Sequence, residues 1–196
     1  MARTIAKDYS EKREQILKTA AQVFADTGFD RASMSQLAKA CNISKANIYH
    51  YYDSKDGLLY DLLDTYLRAL QDRLSFVNGK GMTPEEHFSE LVKEVLLAYH
   101  GADNEHRVQT NALSALGEEE QKVLRYVQRQ IVTQMSDVVQ AIAPEKFDTD
   151  RVALNEVTMS IFGMLNWYYM WQRDTSEGAR IGYADRVASL ILNGIH

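Results

Sequence analysis

The sequence predicts an all-α fold of about nine helices, and three observations support this prediction. Its 196 residues include only two prolines, Pro84 and Pro144, so long stretches lack the residue that most strongly interrupts helices. Apolar residues recur three or four positions apart through most of the chain, which is the spacing of one helix face. No stretch alternates apolar and polar residues as a half-buried strand would. A content of 45% hydrophobic and 25% charged residues excludes a disordered chain.

The first helix is predicted over residues 10–27, with Ser10 as its N-cap. The favoured interpretation of the preceding segment, Met1–Tyr9, is a frayed terminus. The alternative is a basic arm, carrying Arg3 and Lys7, that reaches the backbone or minor groove of a nucleic acid.

Two short helices follow, and their ends carry clear signals. Ser33 and Gln36 form an S-x-x-Q capping box at the start of the second helix. This helix ends at Asn42, a residue that tolerates the positive φ of a sharp turn. Ser44 caps the third helix, which runs to about Tyr51. Two short helices joined by a tight turn, with a helix on either side, make a helix-turn-helix.

The rest of the chain repeats one kind of element. Thr83-Pro84-Glu85-Glu86 is a strong helix start, with a T-x-x-E capping box and proline at the first helical position. Glycines and Pro144 punctuate the remaining segments. Helices are predicted over 54–77, 84–100, 104–115, 118–142, 149–172 and 180–193.

The charge distribution divides the chain in the same place as the helix pattern. Residues 1–56 carry nine Lys/Arg and seven Asp/Glu, a balance of +2, whereas residues 57–196 carry thirteen and twenty, a balance of −7. We therefore predict a helix-turn-helix domain over 1–56 and a larger helical domain over 57–196. The overall charge of −5 argues against nonspecific attraction to polyanions.

The outward face of the third helix carries side chains that could contact base edges and phosphates of DNA. Ile48 lies on its inward face, while Ala46 and His50 lie on the opposite face, flanked by Asn47 and Tyr49. A small residue lets a helix enter the major groove, and Asn and His can bond base edges. Hydroxyls, ammonium groups and backbone N–H groups suit phosphate oxygens. The candidate DNA-binding residues are Ser33, Met34, Ser44, Lys45, Ala46, Asn47, Tyr49, His50, Tyr51 and Lys55.

Residues 10–59 resemble the DNA-binding domain of the TetR family of tetracycline-repressor-type regulators. The resemblance lies in Ile16-Leu17, Ala20, Phe24 and Gly28-Phe29, in Ser33-Met34-Ser35-Gln36-Leu37-Ala38, and in Ile43-Ser44-Lys45 with Ile48-Tyr49-His50-Tyr51-Tyr52-Asp53-Ser54-Lys55. The chain departs from the family at Asn42, where Gly is usual, at Tyr52, where Phe is usual, and at Gly57, where Glu is frequent. The resemblance implies a homodimer that reads a palindromic operator on double-stranded DNA and a C-terminal domain that binds a small-molecule effector.

The segment Val157–Gln172 is unusual because sixteen residues pass without a charge. From Ile161 onward, apolar residues occupy every side of the predicted helix, so it must be buried all round. One side can pack on its own domain and the other needs a second subunit, beside Val187, Leu190 and Ile191 of the last helix. A central helix of a monomeric core is the alternative.

Aromatic residues with polar tips in this segment suit a mostly apolar ligand pocket. The run Phe162-Gly163-Met164-Leu165-Asn166-Trp167 is similar to a segment of TetR-type regulators of fatty-acid, steroid and aromatic-acid breakdown, several of which sense acyl-CoA thioesters. That resemblance implies an acyl-CoA or an aromatic or lipid acid as effector. Core packing is the alternative for each residue. The candidate ligand-binding residues are Tyr99, Met135, Phe162, Asn166, Trp167, Tyr169 and Trp171.

Other functional classes lack support in the sequence. It has no G-x-G-x-x-G, P-loop, H-E-x-x-H or G-x-S-x-G motif, so we predict neither an enzyme, nor a cofactor, nor a metal site. We interpret His87, His100 and His106 as surface histidines and Cys41 as a buried packing residue. Without a signal segment or an apolar run of membrane length, we expect a cytoplasmic protein. A helical protein-binding scaffold and a transcriptional activator of the same fold remain alternatives to a repressor.

Overall fold

The computed structural model describes residues 2–195, with side chains described from residue 7 onward. Within that range the chain is predominantly helical and forms no strand, which confirms the all-α prediction. Nine helices have seven or more residues: α1 (Ala2–Thr27), α2 (Met34–Ala40), α3 (Lys45–Tyr51), α4 (Lys55–Ser75), α5 (Pro84–Ala98), α6 (Asp103–Ala112), α7 (Glu118–Ile142), α9 (Arg151–Asn166) and α11 (Glu177–Ile195). Two four-residue helices, α8 (Pro144–Phe147) and α10 (Tyr168–Trp171), and a 3-10 turn at Leu113–Ala115 complete the described elements.

Helix α1 begins earlier than predicted. The chain is helical from Ala2, so Ser10 lies inside α1, which corrects both the predicted N-cap and the interpretation as a frayed terminus. Met1 and the side chain of Arg3 lie outside the described residues. Tyr9 and Arg13 lie on the same face of α1 as the buried Ile16, so this face of the helix continues upstream of Ser10 with partly exposed side chains.

The helix predicted over 149–172 is interrupted. Helix α9 ends at Asn166, its C-cap is Trp167, and the short α10 follows at once. The backbone N–H of Met170 bonds the carbonyl of Trp167 at 3.0 Å, a three-residue spacing that tightens the turn. Four aromatic residues in five positions are weak helix formers, and their bulk opposes an uninterrupted helix here.

Two compact units divide the chain. The first comprises the residues up to Leu67 together with Asn104–Leu124, and so contains α1, α2, α3 and α6. The second comprises Arg68–Asp103 together with the residues from Arg125 onward, and so contains α5, α9 and α11. The division follows contacts between residues, and the domain boundary between 56 and 57 stays a prediction.

Each unit has its own apolar core. In the first unit α2 packs against α1 and α3, around fully buried side chains that include Ile16, Ala20, Leu37, Ile48 and Leu58. In the second unit α5 lies along α11, with a core that includes Phe88, Val92, Val95, Leu165 and Val187. No helix in the described range is both long enough and apolar enough to cross a membrane.

Candidate nucleic-acid interface and effector-binding residues

The turn between α2 and α3 has the geometry that the sequence predicts. Asn42 has a φ of 53°, the positive value for which a small polar residue was expected. The backbone N–H of Ile43 returns to the carbonyl of Ala38 at 3.0 Å, which closes the turn. Ser33 accepts a hydrogen bond from the backbone N–H of Gln36 at 3.2 Å, so the serine half of the predicted capping box is present.

Helix α3 packs against the first unit on one side and faces solvent on the other. The Ser44 hydroxyl accepts a hydrogen bond from the Asn47 backbone N–H at 3.0 Å, and Ile48 is fully buried beneath the helix. A seven-residue helix cannot persist on its own, so this cap and this contact hold it in place. The opposite side exposes Lys45, Ala46, Asn47, Tyr49 and His50 to solvent.

A surface groove of about 420 Å³ runs along the same turn and is lined by residues of α2 and α3. Its two cations are Lys45 and Lys39, and Lys39 is a basic residue that we did not single out from the sequence. The sequence feature that could have identified Lys39 is its position in the last turn of α2, just before the turn that leads into α3. Met34 is buried, so its backbone N–H, rather than its side chain, is what the start of α2 can offer a phosphate.

Lys55 lies at the start of α4 and is engaged with the backbone of the first unit. Its Nζ donates to the carbonyls of Phe29, Asp30 and Ala32 at 2.7, 3.3 and 3.0 Å. The same ammonium lies 4.2 Å from the centroid of the Phe29 ring. An ammonium has three N–H donors, so a phosphate contact by Lys55 requires one of these bonds to be exchanged. That contact stays a prediction.

A partly buried polar network joins α1, α4 and the end of α3. The Tyr52 hydroxyl donates to Asp61 at 2.6 Å, and Arg13 also donates to the Asp61 carboxylate. Burial, followed by the bond to Asp61, raises the pKa of Tyr52 well above its usual value, so the phenol stays a neutral donor. This network provides the hydrogen-bond partner that a buried phenol at position 52 requires.

The predicted effector residues range from buried to exposed, and Asn166 and Tyr169 are half-buried. Tyr99 is buried, and its hydroxyl donates to Asn166 Oδ1 at 2.8 Å, which brings α5 and α9 together through a polar contact. Burial raises the pKa of Tyr99. Met135 and Phe162 are buried, whereas Trp167 is 55% and Trp171 52% exposed. The single chain therefore leaves part of this segment exposed, which does not fit the alternative of a central helix in a monomeric core. Burial of the exposed side by a second subunit stays a prediction.

Two buried polar residues were missed. His106 is buried and its Nδ1 lies 3.0 Å from the Tyr66 hydroxyl, so the interpretation as a surface histidine is wrong. Arg180 is 1% exposed, with its Nη2 at 2.8 Å from both carboxylate oxygens of Asp103 and its guanidinium 5.1 Å from the Tyr168 ring. The sequence feature that points to burial of Arg180 is that this single charge lies between small and apolar residues, Gly178-Ala179 and Ile181-Gly182.

Cys41 is buried, as predicted. Burial raises the pKa of its thiol, which keeps it protonated and poorly reactive at neutral pH. Among the described residues, no three His, Cys, Asp or Glu side chains are placed to hold a metal ion.

Comparison with known proteins identifies the class. A family model described as "Bacterial regulatory proteins, tetR family" matches residues 16–62, and one described as "Tetracyclin repressor-like, C-terminal domain" matches residues 81–195. The uncharacterized HTH-type transcriptional regulator YuxN of Bacillus subtilis (strain 168) is 36% identical over 74 residues, which cover 38% of this chain and 25% of that relative.

Solved structures agree over nearly the whole chain. A TetR-family transcriptional regulator from Bordetella parapertussis 12822 superposes with a TM-score of 0.87 and 32% identity, covering 92% of this chain and 94% of that one. AibR in complex with isovaleryl coenzyme A and operator DNA superposes with a TM-score of 0.77 over 91% of this chain and 97% of that one, and its 21% identity makes this a likeness of fold.

Together, the helix-turn-helix fold and these matches define a transcriptional regulator rather than an enzyme. The chain belongs to the TetR family.

Proposed function

We propose that this protein is a cytoplasmic repressor that binds a near-palindromic operator as a homodimer and is released by a small apolar or acyl-CoA-type effector. The observation that carries the proposal is the exposed side of α3, where Ala46, Asn47, Tyr49 and His50 lie on a helix anchored from beneath by Ile48. A solvated helix face would carry long charged side chains, whereas this one offers a small residue, an amide, a phenol and an imidazole.

These residues divide between base reading and phosphate contact. Ala46 lets α3 approach the base edges, Asn47 can pair with adenine through two hydrogen bonds, and His50 can donate to a base acceptor. Lys45 and Tyr49 suit phosphate oxygens, which fix the register of the helix without reading sequence. Ser44, Tyr51, Lys55 and the backbone N–H groups of Ser33 and Met34 complete the proposed contact set.

The second unit supports a dimer through α9 and α11. Val152 and Met159 of α9 and Leu190 of α11 are large apolar side chains that the single chain leaves exposed. Gly163, one turn after Met159, also faces open space, because a Cβ added there would meet no atom within 4 Å. A second copy that covers these helices would bury apolar surface, and two copies would present two α3 helices about 34–36 Å apart, one turn of the duplex.

The proposed effector contacts centre on Tyr99 and Asn166, with Met135 and Phe162 as apolar walls, Trp167 and Trp171 as exposed members and Tyr169 as a half-buried one. AibR, whose fold this chain shares, was solved with isovaleryl coenzyme A, which supports the inclusion of acyl-CoA thioesters among the candidate effectors. The effector must bind the released state better than the DNA-bound state, because a ligand with equal affinity for both would shift nothing. We propose that it acts through α4, by changing the spacing of the two α3 helices.

Operator binding is tested by fluorescence anisotropy on duplexes from the region upstream of the protein's own gene, with scrambled duplexes for comparison. The double variant His50→Ala, Tyr49→Phe should lose the preference for one duplex and remain dimeric. His100→Ala with Tyr126→Phe makes the same chemical changes at exposed positions outside α3 and should bind like the wild type. Binding that is salt-sensitive but no tighter to any upstream duplex than to scrambled DNA contradicts the proposal.

The effector is tested by thermal unfolding with isovaleryl-CoA, coenzyme A alone, free fatty acids and aromatic acids. A compound at 100 times its dissociation constant stabilises the protein by about 2.7 kcal/mol and should also release operator DNA. Asn166→Ala should weaken this stabilisation, whereas Asn193→Ala, an amide change at an exposed position of α11, should not. A screen in which no compound raises the midpoint contradicts this part of the proposal.

A further inference from the structure

Three aromatic rings from two helices meet beside the exposed face of α3. The ring of Tyr9, in α1, stacks on Tyr51 of α3 with a centroid distance of 4.8 Å and an interplanar angle of 21°. Tyr9 also meets His50 edge to face at 6.5 Å, and His50 meets Tyr51 edge to face at 5.6 Å. Every pair of this Tyr9 cluster (Tyr9, His50 and Tyr51) is therefore in contact.

The start of α1 is held close to α3 by the residues that follow Tyr9. Tyr9, Arg13, Ile16 and Ala20 are spaced four, three and four positions apart, so they lie on one face of the helix. Ile16 and Ala20 are fully buried, and Arg13, one turn after Tyr9, donates to Asp61 of α4. Tyr9 lies on the same face of α1, nearer its N-terminus, and there it contacts α3.

The position of Tyr9 differs from that of an ordinary surface tyrosine. It is 43% exposed, so part of its ring is covered by the cluster and part faces solvent. Stacked and edge-to-face pairs have preferred geometries, so Tyr9 restricts the rotamers that His50 and Tyr51 can adopt. Side chains that are ordered before binding lose less conformational entropy when they meet a ligand.

We infer that Tyr9 is a positioning residue of the DNA-reading surface, which orders His50 and Tyr51 before the operator binds. Discrimination between operator and other DNA then depends on a ring in α1, outside the helix-turn-helix. This inference rests on the proposed function, because it takes α3 as the element that reads DNA. It assigns Tyr9 no direct contact with a base.

The test begins with an operator obtained by selecting duplexes from a random-sequence library with the wild-type dimer. Dissociation constants for this operator and for a scrambled duplex are then measured by anisotropy for the wild type, Tyr9→Ala, Tyr9→Phe and Tyr126→Ala. Tyr126→Ala is the matched control, since it removes an exposed tyrosine ring from α7. The quantity compared is the ratio of the scrambled to the operator constant.

Tyr9→Ala should lower this ratio about tenfold, which corresponds to about 1.4 kcal/mol of discrimination. Tyr9→Phe keeps the ring and should restore it to within about twofold of the wild type, as should Tyr126→Ala. The salt dependence of binding to the scrambled duplex should be the same for all four proteins, since a neutral side chain releases no counterions.

A measurement without DNA separates ring order from DNA affinity. The ring protons of His50 sense the ring currents of Tyr9 and Tyr51, so their NMR shifts should move in Tyr9→Ala and not in Tyr9→Phe or Tyr126→Ala. Thermal unfolding of each variant establishes that it is folded before its ratio is compared.

An unchanged ratio in Tyr9→Ala, with a wild type that selects a clear operator, overturns this inference and leaves the proposed function standing. Equal losses in Tyr9→Ala and Tyr9→Phe also overturn it, because the hydroxyl would then act by direct contact. A wild type that selects no sequence overturns the proposed function and this inference together.

Discussion

At the scale of single residues, Tyr52 shows how a polar atom becomes acceptable in the core of the first unit. TetR-type sequences usually carry Phe at this position, so the hydroxyl is an addition that needs a partner. Asp61 accepts from it at 2.6 Å while also pairing with Arg13. The phenol and the guanidinium therefore share one carboxylate, and α1, α4 and the end of α3 are joined there.

We expect Tyr52→Phe to lower the free energy of unfolding by about 0.5–1.5 kcal/mol, the usual net contribution of one hydrogen bond. The loss stays small because Arg13 still neutralises Asp61. Urea unfolding followed by circular dichroism measures it, with Tyr126→Phe as the control for an exposed phenol. A variant as stable as the wild type would show that the bond only compensates for burying the hydroxyl.

At the scale of elements, the turn between α2 and α3 depends on the backbone conformation of Asn42. Its φ of 53° lies in the left-handed region, where a β-branched side chain is strained. Asn42→Val should therefore lower the free energy of unfolding by about 1–2 kcal/mol, whereas Asn42→Gly should leave it nearly unchanged. Urea unfolding of both variants tests this, and equal losses in the two would mean that the Asn side chain, rather than φ, stabilises the turn.

The elements also show which features the sequence could predict. Thr83 and Glu86 form the predicted reciprocal capping box, and Ser44 caps α3, because cap partners are three residues apart. The partners of Arg180 and His106 are 77 and 40 positions away, and no local pattern contains such a pairing. The outward residues of α3 followed from helical periodicity, whereas the exposure of Trp167 depends on where α9 ends.

The buried ion pair between α11 and the start of α6 is the second testable feature of the elements. Asp103→Ala leaves the buried Arg180 without its counter-charge. We expect a loss of about 2–3 kcal/mol, below the range of about 3–5 kcal/mol for fully buried pairs because the Asp103 side chain is partly exposed. Replacing both, as Arg180→Met with Asp103→Ala, should recover most of the loss.

This double-mutant cycle is measured by urea unfolding. Arg180→Met alone should be less harmful than Asp103→Ala, because it removes the buried charge and leaves the partly exposed one. If Asp103→Ala is neutral, the contact of the guanidinium with Tyr168 and the Leu96 carbonyl is enough to hold Arg180 in place.

At the scale of the whole molecule, the apolar side chains that α9 and α11 leave exposed bear on the proposed dimer. The uncharged sequence of Val157–Gln172 predicts a helix that needs a second subunit, and the single chain leaves Met159 of α9 and Leu190 of α11 exposed, Leu190 at 67%. Apolar groups of this size would be covered in the proposed homodimer. A monomer would offer the operator one copy of α3, whereas a dimer offers two that bind in a coupled way.

We therefore expect Met159→Asp with Leu190→Asp to shift the protein from dimer to monomer in sedimentation equilibrium, because two carboxylates would be buried against their symmetry mates. Operator affinity should fall by about 10²–10⁴-fold as the second half-site contact stops being intramolecular. Val123→Asp, the same kind of change at an exposed apolar position of α7, should alter neither property. A double variant that stays dimeric would place the interface elsewhere, and a monomeric variant with unchanged operator affinity would mean that a single α3 is enough for recognition.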